Sequence, residues 1–151
     1  MRLLLLFIKP LLFFLLFFAL GRLVFLIYHT PQSSDVTLYE GIKCLWYALP
    51  LDLSTAGYAL TFPFLIMMLQ LFLPVNIYSS VVNRYFSALI ILIAFVFAGE
   101  IAVYDDWGVK LHYKVFLHLK HPSEIFQTAN FVHYFIFWGS LALLLAAGLK
   151  L

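Results

Sequence analysis

The chain has 151 residues, of which 65% are hydrophobic, 19% aromatic and only 11% charged. Soluble domains are about half apolar and about a quarter charged, so this composition excludes a compact soluble fold. The formal net charge of +2 and the lack of any basic run longer than two residues exclude a nucleic-acid-binding surface. Apolar blocks of about twenty residues instead match the hydrocarbon thickness of a bilayer. The sequence predicts an all-α, polytopic membrane protein with about four transmembrane helices and short interfacial helices.

The first predicted transmembrane span covers residues 3–28. It is longer than the apolar region of a signal peptide, about 7–15 residues, and it lacks a small-residue cleavage pattern, so we expect it to be retained. Lys9 and Arg22 lie thirteen residues apart, about 20 Å along a helix. We expect their long side chains to reach the two membrane surfaces as interfacial anchors.

The second predicted span covers residues 55–75 and follows a polar connection. Within that connection, residues 38–49 show helical spacing of apolar residues and are predicted to form a short helix at the membrane surface. Asp52 is predicted to cap the second span by accepting a hydrogen bond from free backbone N–H groups. Pro63 falls inside this span and predicts a kink, which membrane helices tolerate when a neighbour satisfies the freed carbonyl.

The third and fourth predicted spans cover residues 85–104 and 130–149. A short link at 76–84 predicts that the second and third spans form an antiparallel hairpin. The longer link before the fourth span contains an amphipathic segment, 111–127, which Pro122 divides into two interfacial helices. We expect residues 1–151 to form a single membrane domain.

The orientation of the chain is predicted from its first helix. Four crossings place both long connections on one side of the membrane. That side carries five Lys and Arg residues and the other side carries four, so the positive-inside rule does not determine the orientation. Because the first insertion signal usually dominates, we expect a cytoplasmic N-terminus in a multi-pass protein of the cell inner (cytoplasmic) membrane.

Several polar residues are predicted to gather at one membrane face. Connectivity places Arg22, Glu100 and His133 there, and Arg22 is the predicted partner of Glu100 because an unpaired charge at membrane depth is costly. The pair has two interpretations, an ion pair that fixes helix packing or part of a pocket for a phospholipid head group. The full candidate head-group cluster is Arg22, Glu100, Tyr104, Asp105, Asp106, Trp107 and His133.

No catalytic, metal-binding or cofactor-binding residue is predicted in the chain. His112, His118 and His121 are spaced by six and three residues, which does not place all three on one helical face, whereas zinc needs three or four convergent ligands. Ser54 and Thr55 have no adjacent histidine or acid that would activate a hydroxyl nucleophile.

Two stretches resemble a known family. Leu51–Tyr58 reads LDLSTAGY, Gly99–Lys110 reads GEIAVYDDWGVK, and Phe116–Phe126 follows with FLHLKHPSEIF. Together with the Leu- and Phe-rich first helix, they resemble the N-terminal membrane domain of lipoteichoic acid synthase-family sulfatases, which are phosphoglycerol transferase-like members of the alkaline phosphatase superfamily.

The resemblance implies a larger protein with five membrane helices and an extracytoplasmic catalytic domain. In such proteins a divalent metal and a threonine or related nucleophile belong to that domain, and none of these ligands matches a position of this chain. The resemblance therefore implies a membrane domain truncated before its catalytic domain. It also implies a role for Glu100, Tyr104, Asp105, Trp107 and Gly108 beside that domain or a lipid head group.

Three functions follow as alternatives. The first is the membrane-anchoring domain of such an enzyme, with the lipid bilayer, phospholipid head groups and a separate catalytic domain or another membrane protein as partners; the chain alone is not expected to be catalytic. The second is a stand-alone scaffold or assembly protein. The third is a small transporter subunit that uses Glu100, for which the sequence shows no symmetric pair of broken helices.

Overall fold

The computed structural model describes residues 2–29, 37–70, 72, 78–108 and 131–150. These ranges contain four α-helices and no strand: α1 (Arg2–His29), α2 (Leu38–Gln70), α3 (Tyr78–Trp107) and α4 (Phe131–Lys150). Each helix contains a segment that is long and apolar enough to cross a membrane, namely Phe7–His29, Tyr39–Gln70, Tyr78–Tyr104 and Phe131–Leu149. The predicted all-α, multi-pass membrane fold is confirmed.

Each helix buries a narrow stripe and exposes wide apolar faces. In α1 the buried positions recur about every three or four residues: Phe14, Phe17, Phe18, Gly21, Phe25 and His29. Between them, Leu16 is 63% exposed and Ile27 is 72% exposed. A soluble helix shows the opposite pattern, with polar residues outside, so these faces suit lipid.

α2 is one continuous helix from Leu38 to Gln70. The predicted cap at Asp52 is therefore wrong, because Asp52 lies in the helix interior, and residues 38–49 are the first turns of α2 instead of a separate helix. The helix starts upstream in a capping box. The Thr37 backbone N–H donates to the Glu40 carboxylate at 2.8 Å, and the Glu40 N–H donates to Thr37 Oγ1 at 3.4 Å.

α3 extends beyond the predicted span at both ends. It begins at Tyr78, seven residues before the predicted start, and it includes Asp105 and Asp106, which lie beyond the predicted end at residue 104. Gly108 ends it with a φ of 61°, a left-handed conformation that favours glycine. The Gly108 N–H donates to the Tyr104 carbonyl at 2.8 Å, which is the hydrogen bond of an αL C-cap.

The packing divides into two units with a boundary in α3. The first runs to Leu89 and contains α1, α2 and the start of α3, and the second, Ile90–Lys150, contains the rest of α3 and α4. The predicted single domain stays a prediction. The predicted interfacial segment at 111–127 lies outside the described residues.

Candidate functional site

An ion pair connects α1 to α2. Arg22 lies two turns before the end of α1, and its Nη1 donates a hydrogen bond to Oδ2 of Asp52 in α2. The Arg22 side chain is 16% exposed and that of Asp52 is 9% exposed. Both residues belong to segments that are long and apolar enough to span a membrane. The Arg22 side chain thus contacts a neighbouring helix, and its predicted role as an interfacial anchor stays a prediction.

The pair neutralises one charge in each of the first two helices. An arginine or aspartate near the centre of a membrane helix costs about 2.5–3.5 kcal/mol on insertion scales. Arg22 and Asp52 cancel each other's charge, and the planar guanidinium suits the geometry of a carboxylate. The arrangement can hold two helices together in an apolar medium.

Two contacts show that α1 and α2 run in opposite directions. Phe7 of α1 packs on Phe64 of α2 with ring centroids 5.9 Å apart. Further along α1, Arg22 meets Asp52, which lies earlier in α2. Along the direction in which residue numbers rise in α1, they fall in α2, so the two helices form an antiparallel hairpin.

A second polar contact lies between α2 and α3. Proline has no N–H, so Pro63 cannot form the helical hydrogen bond to the carbonyl of Ala59, four residues earlier. The Tyr85 hydroxyl of α3 donates to that carbonyl at 3.0 Å. The Tyr85 ring also packs on Phe62, with centroids 4.5 Å apart. Tyr85 is the neighbour that satisfies the backbone group freed by Pro63, and the predicted kink stays a prediction.

In the second unit, two described residues of the predicted cluster lie within contact distance of each other. His133 Nε2, near the start of α4, lies 3.3 Å from Oδ2 of Asp106 in the last turn of α3. The His133 side chain is 20% exposed and that of Asp106 is 53% exposed. Phe95 and Phe137 also pack edge to face, with centroids 5.3 Å apart. The structure thus brings together two residues that the sequence places at one face.

The other members of the predicted cluster are spread over both units. Glu100 and Tyr104 are half-buried in α3. The backbones of Asp105 and Trp107 belong to the last turn of α3, and their side chains lie outside the described part of the chain. Glu100 and Arg22 belong to different units, so the predicted Arg22–Glu100 pair stays a prediction, as does head-group binding by the cluster.

Sequence reasoning missed Asp52 and Tyr85 as partners. Asp52 was assigned to a helix start because it precedes Ser54 and Thr55, a local pattern that also occurs inside helices. The signal for the true start was Thr37-x-x-Glu40, a capping-box pattern. For Tyr85 the signal was Pro63, which requires a donor from elsewhere, although the sequence does not say which residue provides it.

Among the described residues, no group of three or more His, Cys, Asp or Glu side chains is placed to bind a metal ion. His112, His118 and His121 lie outside the described residues. No known protein family, curated protein or solved structure matches the chain.

Proposed function

We propose that the chain is a membrane-anchoring domain of the type found in lipoteichoic acid synthase-like sulfatases and phosphoglycerol transferases. In this proposal the helices hold a catalytic domain at the membrane surface, and that domain provides the divalent metal and the nucleophile. The chemistry would be metal-assisted transfer to a hydroxyl group. The chain itself anchors the enzyme in the membrane and positions the lipid head group.

The observation that carries the proposal is the part-buried Arg22–Asp52 ion pair. Asp52 belongs to the LDLSTAGY stretch that suggested the family, and it contacts the Leu- and Phe-rich first helix that completes the resemblance. A buried, hydrogen-bonded ion pair between helices is a specific element of a fold, whereas apolar composition is common to most membrane proteins. The pair thereby ties two separate parts of the resemblance into one structural unit.

The second resembling stretch also ends in a defined structure. GEIAVYDDWGVK contains the last turns of α3, the αL cap at Gly108 and Asp106, which pairs with His133. These features fix where α3 stops. In the proposal, this end of α3 faces the catalytic domain or the lipid head group.

The decisive experiment is to sequence the genomic DNA downstream of codon 151 and to measure the mass of the native product. We expect an in-frame continuation that encodes another membrane helix and a metal-dependent sulfatase-type domain, with a native mass far above 17.4 kDa. A stable native product of 17.4 kDa with no such reading frame would overturn the proposal and favour a stand-alone scaffold.

A further inference from the structure

α2 is longer than the membrane requires. Its 33 residues correspond to about 50 Å of helix, whereas the hydrocarbon core is about 30 Å thick. An average tilt of about 20° shortens the projected length by only a few ångströms. Roughly a dozen residues of α2, counted over both of its ends, therefore lie beyond the hydrocarbon core.

The Arg22–Asp52 pair relates the level of each residue in α2 to the residues of α1. Because the two side chains touch, they lie at about the same depth. Lys9 lies thirteen residues before Arg22 in α1, about 20 Å towards one surface, and Lys43 lies nine residues before Asp52 in α2, about 14 Å towards the other. The distance between the levels of Lys9 and Lys43 is thus about 33 Å, close to the hydrocarbon thickness. Lys43 lies at the level of the lipid head groups.

The side chains around Lys43 suit that level. Its Nζ lies 5.9 Å from the centroid of the Tyr39 ring and 5.8 Å from that of Tyr47, one turn before and one turn after it. Both tyrosines are 70% exposed, and the neighbouring Trp46 is 71% exposed. Tyrosine and tryptophan are enriched where a membrane meets water, because one end of each ring is apolar and the other is polar.

The nearby acid is already engaged. The Glu40 carboxylate accepts hydrogen bonds from the backbone N–H and the hydroxyl of Thr37. Among the described residues, Lys43 forms no ion pair with Glu40 or another acid. The face formed by Tyr39, Lys43 and Tyr47 therefore presents one ammonium group and two phenol hydroxyls, all of which can donate hydrogen bonds to a phosphate.

We propose that Lys43, held between Tyr39 and Tyr47, binds the phosphate of membrane lipids and prefers anionic head groups. The two rings flank the ammonium group, and this contact lowers the entropy lost when the ammonium group binds a phosphate. The match between the Lys9–Lys43 distance and the bilayer thickness favours a lipid over a protein partner. The inference is independent of any catalytic domain, because all of its residues belong to α1 and α2.

The test uses the full chain in vesicles with Trp46 as the only tryptophan, after Trp107→Phe and Trp138→Phe. Vesicles contain phosphatidylcholine and increasing fractions of brominated phosphatidylserine, which quenches Trp46 when it binds nearby. We expect phosphatidylserine to bind more tightly than phosphatidylcholine, and Lys43→Gln to lower this preference about fivefold, the effect of one basic residue near the surface. Lys43→Arg should retain the preference.

A double variant separates the site from its charge. In Lys43→Gln/Ile42→Lys the positive charge moves to the adjacent, exposed position, away from the two rings. If the ring-flanked lysine is the site, the double variant does not regain the preference for phosphatidylserine that Lys43→Gln loses. Full recovery of that preference would overturn the proposal, because any positive charge at that depth would then suffice. Unchanged quenching in Lys43→Gln would also overturn it. Tyr39→Phe/Tyr47→Phe, which keeps the rings and removes the hydroxyls, should weaken the preference partially.

Discussion

The Arg22–Asp52 ion pair offsets the free-energy cost of placing each of the two charges in an apolar medium. Neither helix can bury its charge alone without the penalty of an unpaired ion in an apolar medium. Replacing both partners of a buried ion pair is often tolerated, whereas removing one partner typically costs about 3–5 kcal/mol because the other charge remains buried and unpaired. The exposures of 16% and 9% place this pair closer to the buried case than to a surface salt bridge.

We therefore predict that Arg22→Gln and Asp52→Asn each destabilise the α1–α2 hairpin by about 3–5 kcal/mol. The double variant should be more stable than either single variant, because it leaves no unpaired charge. The measurement is the free energy of unfolding in detergent micelles by chemical denaturation. Lys9→Gln is the matched control: it removes a cation from an exposed position of the same helix and should change stability by less than about 0.5 kcal/mol.

The hydroxyl of Tyr85 can bond the Ala59 carbonyl because Pro63 has no N–H to occupy it. We predict that Tyr85→Phe costs about 0.6–1.7 kcal/mol, the range of interhelical hydrogen bonds in membrane proteins, because the Ala59 carbonyl loses its donor. In a Pro63→Ala background the restored N–H can bond that carbonyl, and the same substitution should then cost close to nothing.

A double-mutant cycle over Tyr85→Phe and Pro63→Ala measures this coupling directly. Additive effects of the two substitutions would show that the hydroxyl and the proline act independently, contrary to our prediction. Tyr58→Phe in α2 is the control, because Tyr58 is 77% exposed.

Small side chains form the buried stripe of α3. Ala94 and Ala98 are 0% exposed and Ala102 is 5% exposed, one turn apart from each other. Small residues at such spacing allow a helix to be approached closely in a membrane. We predict that Ala98→Leu destabilises the protein by about 1–3 kcal/mol through overpacking. Ala88→Leu, the same substitution at an exposed position of α3, should be nearly neutral in a thermal unfolding assay.

The four helices of membrane-spanning length among the described residues could be predicted from the sequence, but their ends could not. Hydropathy reports the length of chain that suits the hydrocarbon core, and a helix can continue beyond it, as α2 does towards Leu38 and α3 towards Tyr78. Asp52 shows why the candidate site was only partly predictable. Its role depends on Arg22, thirty positions away, and a local capping rule cannot detect such a partner.

The sequence predicted that Asp106 and His133 lie at the same membrane face, but it did not predict the contact between them. Connectivity fixes which helix ends lie on the same side, and the pairing of side chains depends on helix rotation and tilt, which packing determines. For the same reason Glu100 could be placed at a depth from the sequence, whereas its partner could not be derived from depth alone.

The orientation of the whole chain can be read from its single cysteine. Cys44 is exposed and lies beside Lys43, near the start of α2. If the N-terminus is cytoplasmic, this end lies outside, and a membrane-impermeant maleimide should label Cys44 in intact cells. In Cys44→Ser/Ser79→Cys the thiol lies near the start of α3, at the opposite side, and should be labelled only after permeabilisation. The reverse pattern would show that the N-terminus is outside.

The ion pair between α1 and α2 also has a consequence for biosynthesis. Its partners are thirty residues apart, so Asp52 leaves the ribosome about 2–6 s after Arg22 at a synthesis rate of about 5–20 residues per second. During that interval Arg22 lacks the carboxylate that it binds in the folded protein. We expect α1 to stay beside the insertion channel until α2 arrives, so that the two helices enter the lipid together as a neutral hairpin.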